Sequence, residues 1–149
     1  WHINYNQYNL WSMDNATSGN NGTPVVKTIY DPCPAGFKMP ASDAFTGFTK
    51  TGNSTSIPSD YNISGAKDYG YNFNNKVSSP DATVYFPASG FRGSYGSGSL
   101  DGVGHFGYYW SAVPYDTGDG CYLIFYSGSV NPQFYNYRSY ALSVRPVAE

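Results

Sequence analysis

The stretch Tyr122-Leu123-Ile124-Phe125-Tyr126 decides how this chain folds. Successive side chains of a strand point to opposite faces of a sheet, so Leu123 and Phe125 share one face while Tyr122, Ile124 and Tyr126 share the other. A strand apolar on both faces is either covered on both or presents one of them to a partner. Tyr, Ser, Gly and Asn are the residues of binding loops, because Tyr supplies large amphipathic contact area at low entropic cost. Two readings of the tyrosines follow: rings packed in an ordinary β core, or rings lining a recognition surface.

Similar patterns predict strands over Tyr108-Tyr109-Trp110-Ser111-Ala112-Val113, Val84-Tyr85-Phe86-Pro87, Ala141 to Val147 and Val25 to Tyr30. Ser42 or Asp43 is placed to cap a short helix that carries Ala44, Phe45 and Phe48 on one side and ends near Gly52. Gly36 to Pro40 reads as a short apolar turn. Residues 51–80, punctuated by Pro58, Gly65, Gly70 and Pro80, read as loop. Residues 1–24 read as an N-terminal extension or first strand, anchored by Trp1 and Trp11. No tandem repeat of fixed period is visible. The expectation is one α+β, mostly β domain over 1–149, with short strands, one or two short helices and long loops.

The 149 residues suffice for one domain with its own core. A net charge of −2 with 12% charged residues argues against nucleic-acid binding, which needs a basic face. The 19% aromatics and 17 glycines suit a loop-rich extracellular or surface β domain. No stretch is apolar enough to span a membrane, so direct insertion is not expected of this segment, and no signal peptide is read in it. The start at Trp1 rather than Met reads as a processed or excised piece. Two cysteines are too few for a disulfide scaffold or a zinc site. Cys33 and Cys121 either form one bridge, tying the N-terminal half to the Tyr-rich strand, or stay as buried free thiols.

Catalytic chemistry finds little purchase. Asp101, Asp116 and Asp119 invite a calcium reading, but calcium takes about six to eight oxygens in a shaped cage, and solvated loop carboxylates are the plainer account. His105, Ser111 and Asp116 supply the residue types of a triad, yet a triad is defined by geometry, and no nucleophile elbow frames Ser111. The glycine-rich stretch Gly90 to Gly107 lacks the Lys-Ser/Thr ending of a phosphate loop. Arg138 and Arg145 suit structural hydrogen bonding of loops. No enzyme activity and no cofactor are expected.

Four segments taken together resemble a known family: Tyr30-Asp31-Pro32-Cys33-Pro34-Ala35-Gly36-Phe37-Lys38-Met39-Pro40, Phe86-Pro87-Ala88-Ser89-Gly90-Phe91-Arg92, Tyr109-Trp110-Ser111-Ala112 and Leu142-Ser143-Val144-Arg145-Pro146-Val147. The pattern is similar to the Fibrobacter succinogenes major paralogous domain of Bacteroidetes surface proteins, over roughly residues 25–147. The resemblance implies a C-type-lectin-like fold of the formylglycine-generating-enzyme type. Neither cysteine sits in a motif matching the catalytic thiols of those enzymes, and fold resemblance does not carry activity.

The C-terminal part, residues 93–147, resembles the variable region of a diversity-generating retroelement. There a reverse transcriptase mutates template adenines, and AAC codons become NNC codons, which encode neither Lys, Glu, Gln, Met nor Trp. After Lys76 this chain has no Lys and no Met, and its sole Glu is Glu149, whereas Lys27, Lys38, Lys50, Lys67 and Lys76 stand in the first half. Trp110 and Gln133 are exceptions that fit framework positions.

By that resemblance the diversified, ligand-binding positions are Asp101, Gly102, His105, Phe106, Tyr108, Tyr115, Asp116, Gly118, Asp119, Tyr122, Ile124, Tyr126, Ser129, Phe134, Tyr135, Asn136, Tyr137 and Tyr140. The implied framework is Val103, Gly104, Tyr109, Trp110, Leu123, Phe125, Val130, Pro132, Arg138, Leu142, Val144 and Arg145. The resemblance implies a protein, glycan or phage-receptor ligand and a place on a bacterial surface, outside the cell, or on a phage virion. The alternative of another class is a fixed structural or adhesin subunit of a bacterial surface fibre.

Overall fold

The computed structural model describes residues 10–13, 19–67, 69–93 and 98–149. Its strands are β1 (Phe37–Lys38), β2 (Ile63–Lys67), β3 (Gly70–Asn74), β4 (Thr83–Pro87), β5 (Phe91–Arg92), β6 (Leu100–Asp101), β7 (Gly107–Pro114), β8 (Asp119–Tyr126), β9 (Ser129–Tyr137), β10 (Ser143–Val144) and β11 (Val147–Ala148). Short 3-10 helices at Ser42–Phe48 and Pro58–Asp60 are the helical elements among the described residues. The architecture is therefore mostly β with a small helical part, as expected. A four-stranded sheet runs β10-β7-β8-β9, and a three-stranded antiparallel sheet runs β2-β3-β4. Two smaller pairs, β1 with β11 and β5 with β6, complete the pairing.

The alternation read from residues 122–126 holds. Leu123 and Phe125 enter one buried cluster with Phe45, Phe48, Phe73, Phe86, Tyr109 and Val130. Tyr122 enters a second cluster on the opposite face, with Trp110, Ala112, Met39, Val25 and Cys33. The first cluster is a lattice of rings. Phe48 stacks on Phe73 at 4.0 Å, and Phe73 meets Phe86 and Phe125 edge-on at 5.8 and 5.4 Å. Phe45 and Phe48 reach it together because residues three apart eclipse on a 3-10 helix. The Tyr109 hydroxyl donates to the Pro87 carbonyl at 2.6 Å, so its burial leaves no orphan donor.

Gly107 is paired directly opposite Phe125, whose ring lies across the glycine backbone. Any Cβ there would run into that ring, which is why a glycine opens β7.

Two irregularities shape the large sheet. Between Trp110 and Pro114 the register of β7 against β8 shifts. Ser111 fills the gap: its hydroxyl donates to the Cys121 carbonyl at 2.9 Å and accepts from the Val113 amide at 3.3 Å. The Ala112 amide turns away and donates to the Pro40 carbonyl at 2.8 Å. In β9 one extra residue lies between Asn131 and Phe134, which pair with Ile124 and Tyr122. Pro132 sits in this bulge on an edge strand, a site that needs no N–H.

The second face of β7 and β8 is covered by Trp11, Val25, Cys33, Met39 and Ala41. Trp11 lies 6.2 Å from Trp110. The motif at residues 31–39 is folded by one carboxylate. Asp31 accepts the Cys33 amide at 2.7 Å, the Met39 amide at 2.9 Å and the Lys27 ammonium at 2.9 Å. Burial alone pushes this carboxyl upward, but the amides of Met39 and Cys33, together with Lys27, outweigh it and hold it below its ordinary value.

Several expectations are corrected. Val25 to Tyr30 forms no strand, only a bridge of Lys27 to Ser12, because the Ser12 and Thr28 hydroxyls and Asp31 take its backbone and side-chain hydrogen bonds. Gly36 to Pro40 contains β1. Residues 51–80 hold β2 and β3, formed despite Asn- and Gly-rich composition because the three-stranded ladder and Phe73 burial override weak propensity. Ala141 to Val147 is split into β10 and β11 by Arg145-Pro146. β9 (Ser129–Tyr137) is a strand to which the sequence reading assigned no element. Trp1, His2 and Asn15 lie outside the described residues.

The disulfide alternative is also overturned. Cys33 and Cys121 are free and buried. By register Cys121 points to the Leu123 face, whereas Cys33 belongs to the Trp110–Tyr122 cluster, so the sheet stands between them. Burial pushes the thiols up, to about 11 for Cys33, with Asp31 adding to it, and to about 12 for Cys121.

Two predictions test this fold. Phe125→Ala should cost about 3–5 kcal/mol in chemical denaturation, the range for an aromatic removed from a closed core; a loss under about 1 kcal/mol would contradict its central position. Because Asp31 is held below its ordinary pKa of 3.8, its contribution is present above that value and is lost as pH falls through the lowered one. Melting curves across the acid range should therefore show a drop that is flattened in Asp31→Asn.

Candidate functional site

The candidate positions converge on the face of the large sheet that carries Tyr122, and on its rim. From the middle of β8 the rings form a connected chain. Tyr122 touches Tyr108 at 5.8 Å, Phe134 at 5.6 Å and Trp110 at 5.3 Å. Tyr108 leads to Phe106 at 5.9 Å and thence to Tyr126 at 5.2 Å. Phe91 bridges Tyr108 at 4.9 Å to Tyr140 at 5.6 Å, and Tyr140 meets Tyr137 edge-on at 5.9 Å. At the other end Phe134 approaches Tyr135 at 5.8 Å, and Tyr135 stacks flat on Tyr115 at 3.5 Å.

Register explains the last step. Phe134 pairs opposite Tyr122 and Tyr135 opposite Cys121, so the two rings start from opposite faces and meet only by reaching round the edge strand. Asn136 shares the face of Tyr122, whose phenol it steadies in the ionised form against a larger upward push from burial.

All but one of the candidate positions reach solvent. Tyr126, Phe134, Tyr135 and Tyr137 are exposed, while Phe106, Tyr108, Ile124 and Tyr140 are half-buried. Tyr122 is the exception at 2% exposure, and its place as a surface contact is corrected. It is the floor of the aromatic face, closed over by Tyr108, Phe134 and Trp110. Gly102 is a second special case. Its φ of +68° favours glycine, and a Cβ would come 2.9 Å from the Phe106 ring. The implied framework is the more buried set: Tyr109, Trp110, Leu123, Phe125, Val130 and Pro132 are closed off, although Val103 and Arg145 are exposed.

The hairpin tip between β7 and β8 is held by its own polar groups. Asp116 accepts the amides of Gly118 and Asp119 at 2.7 and 2.8 Å, and these bonds lower its pKa. Arg138 donates to the carbonyls of Asp119 and Asp116 at 3.1 and 2.6 Å, the structural role expected of it. Asp119 is raised, chiefly by burial and then by the charge of Asp116. Ser129 donates to the Thr55 carbonyl at 3.1 Å.

The constellations that suggested catalysis are not assembled. Ser111 is fully buried with its hydroxyl committed to Cys121, whereas His105 is exposed in a turn closed by its amide to Gly102. Among the described residues no three His, Cys, Asp or Glu converge on a point that suits a metal ion.

The sequence reading missed three residues at this site. Phe91 joins Tyr108 to Tyr140 but was seen only as part of a motif. Tyr69 and Tyr71, in the stretch read as loop, line a cleft with Phe106 and Tyr126. Alternation within Tyr71-Asn72-Phe73 was the signal available for them.

The structure thus defines a mostly β domain, built round a four-stranded and a three-stranded sheet, with an aromatic face on the larger. The chain belongs to DUF8237, a domain of unknown function whose profile covers residues 43–147, from the first 3-10 helix to the start of β11. No curated protein and no solved structure matches it.

The burial difference yields a prediction. Tyr122→Ala should destabilise the domain by about 3–5 kcal/mol, whereas Tyr135→Ala should stay within about 0.5 kcal/mol. Equal effects in denaturant titration would contradict the division into floor and rim.

Proposed function

We propose that this domain is a ligand-binding module with a C-type-lectin-like fold, whose 93–147 surface is diversified by a retroelement. It acts as a receptor or adhesin on a bacterial surface or phage virion, and it is not an enzyme. The observation that carries this reading is the division of the described residues of 93–147 by exposure: side chains suited to NNC codons, Tyr122 apart, reach solvent on the Tyr122 face, round the β9 edge and at the hairpin tip, and the residues between them largely close the core. A rigid scaffold of this kind tolerates exchange at its rim, because substitutions away from packed positions usually change stability by no more than about 0.5 kcal/mol. Tyr and Phe act as anchors, and Ser, Gly, Asp and Asn as adaptable neighbours. Tyr122, as floor, constrains the diversity that its position tolerates.

A second reading, a fixed structural or adhesin subunit of a surface fibre, is favoured by the self-packed ring chain from Tyr137 to Tyr115, which suits a single invariant neighbour. DNA sequencing of codons 93–147 and their flanks separates the two. Diversification expects NNC codons at the candidate positions, a near-identical AAC-rich repeat and a nearby reverse-transcriptase gene. Ordinary codons without a repeat would sink it and leave the fixed interface.

A further inference from the structure

One cleft of about 340 Å³ opens where the two sheets meet, between Tyr69 and the β8–β9 turn. That volume falls in the range of small-molecule sites, roughly 300–1,000 Å³. Its walls are Tyr69, Tyr71, Phe106, Phe125 and Tyr126, with His105 and Ser127 at the mouth. Tyr69 and Tyr71 lie before residue 93, so the cleft joins a floor outside the candidate region to a rim within it.

Tyr69 is held there at a cost. Its φ of 64° is unfavourable for any side chain bearing a Cβ, by about 1–3 kcal/mol, yet the ring is 73% exposed. The conformation is set by the tight hairpin turn between β2 and β3, where Lys67 pairs with Gly70. Its carbonyl is fixed by the Ala88 amide at 2.6 Å, and its ring lies on Gly104, where a Cβ would come within 2.7 Å of it. Both neighbours position the ring at the cleft mouth.

The chemistry of the lining selects among ligands. None of the described lining residues carries a carboxylate, ammonium or guanidinium. The rings pack on one another, Tyr71 against Phe125 at 5.3 Å and Phe106 against Tyr126 at 5.2 Å. They form a wall rather than a cage, which suits a flat apolar face better than an enclosed cation. Hydroxyls stand among them: that of Tyr71, which donates to the Tyr126 carbonyl at 3.1 Å, and that of Ser127.

We infer that this cleft seats one neutral sugar ring of a glycan, its CH face against the Tyr69–Phe106 wall and its hydroxyls toward the phenols and Ser127. The inference rests on the recognition function proposed above and names a ligand class for one end of that face. Its test is an amide NMR titration of the full chain with methyl glycosides of glucose, galactose, mannose and N-acetylglucosamine, and with choline as the cationic contrast. At least one glycoside should shift the Gly70, Gly104 and Ser127 amides saturably, and choline should not. Tyr69→Gly removes the ring while relieving the backbone, so it should weaken glycoside binding by roughly tenfold without loss of thermal stability. Ile29→Ala, at an exposed position outside the cleft and outside the candidate positions, should leave binding unchanged. Silence of those amides with every glycoside, a response to choline instead, or undiminished binding in Tyr69→Gly would overturn the sugar seat. Ordinary codons over 93–147 would instead remove diversification and leave a measured sugar seat standing.

Discussion

The pairing of β7 with β8 is the constraint on which the rest of the molecule depends, because both of its faces are apolar and each must be covered differently. On the Phe125 side the cover is complete: Phe73 and Phe86 of the small sheet and Phe45 and Phe48 of the first helix close it. Gly107 makes that closure possible by letting the Phe125 ring lie on bare backbone. On the Tyr122 side the cover from Trp11, Val25, Cys33, Met39 and Ala41 reaches Trp110 and Tyr122. Beyond it Tyr108, Ile124 and Tyr126 retain contact with water. The aromatic face is thus what remains of a two-sided sheet after one side has been only partly roofed.

Much of this was legible in the sequence, for reasons that differ by element. Tyr122 to Tyr126 announced its two faces because strong alternation and β-prone residues agree there. The first helix was legible through Phe45 and Phe48, although its 3-10 winding was not. β2 and β3 were hidden because Asn, Gly and Ser are weak strand formers, and only the ladder to β4 and the burial of Phe73 hold them. β9 was hidden by Pro132, which reads as a break until its bulge is seen. Tyr126 was legible by alternation, whereas Tyr135 entered only through the family resemblance. The burial of Tyr122 was not legible, since it depends on Trp110 and Tyr108 of β7 and Phe134 of β9 meeting over it from two other strands.

Polar groups in this fold mostly substitute for missing ladder bonds. Ser111 mends the β7 irregularity, Asp31 folds the loop that roofs the second face, and Arg138 holds the hairpin tip. Each replaces several backbone partners with one side chain. With few charges available, these segments obtain local order mainly from side-chain hydrogen bonds to backbone, to which the Lys27–Asp31 ion pair adds.

The bulge at Pro132 has a consequence for solubility. An aromatic sheet with little net charge and an open edge is a template for self-assembly, strand upon strand. Here the β9 edge is interrupted: Thr55 occupies both backbone groups of Val130, Asn20 binds the Gln133 carbonyl, and Pro132 withholds a donor between them. Only the short run from Phe134 to Tyr137 is left beyond the bulge, shorter than the roughly six- or seven-residue segments that stack into fibrils. The aromatic rings of this sheet are thus displayed beside a border with few free backbone groups.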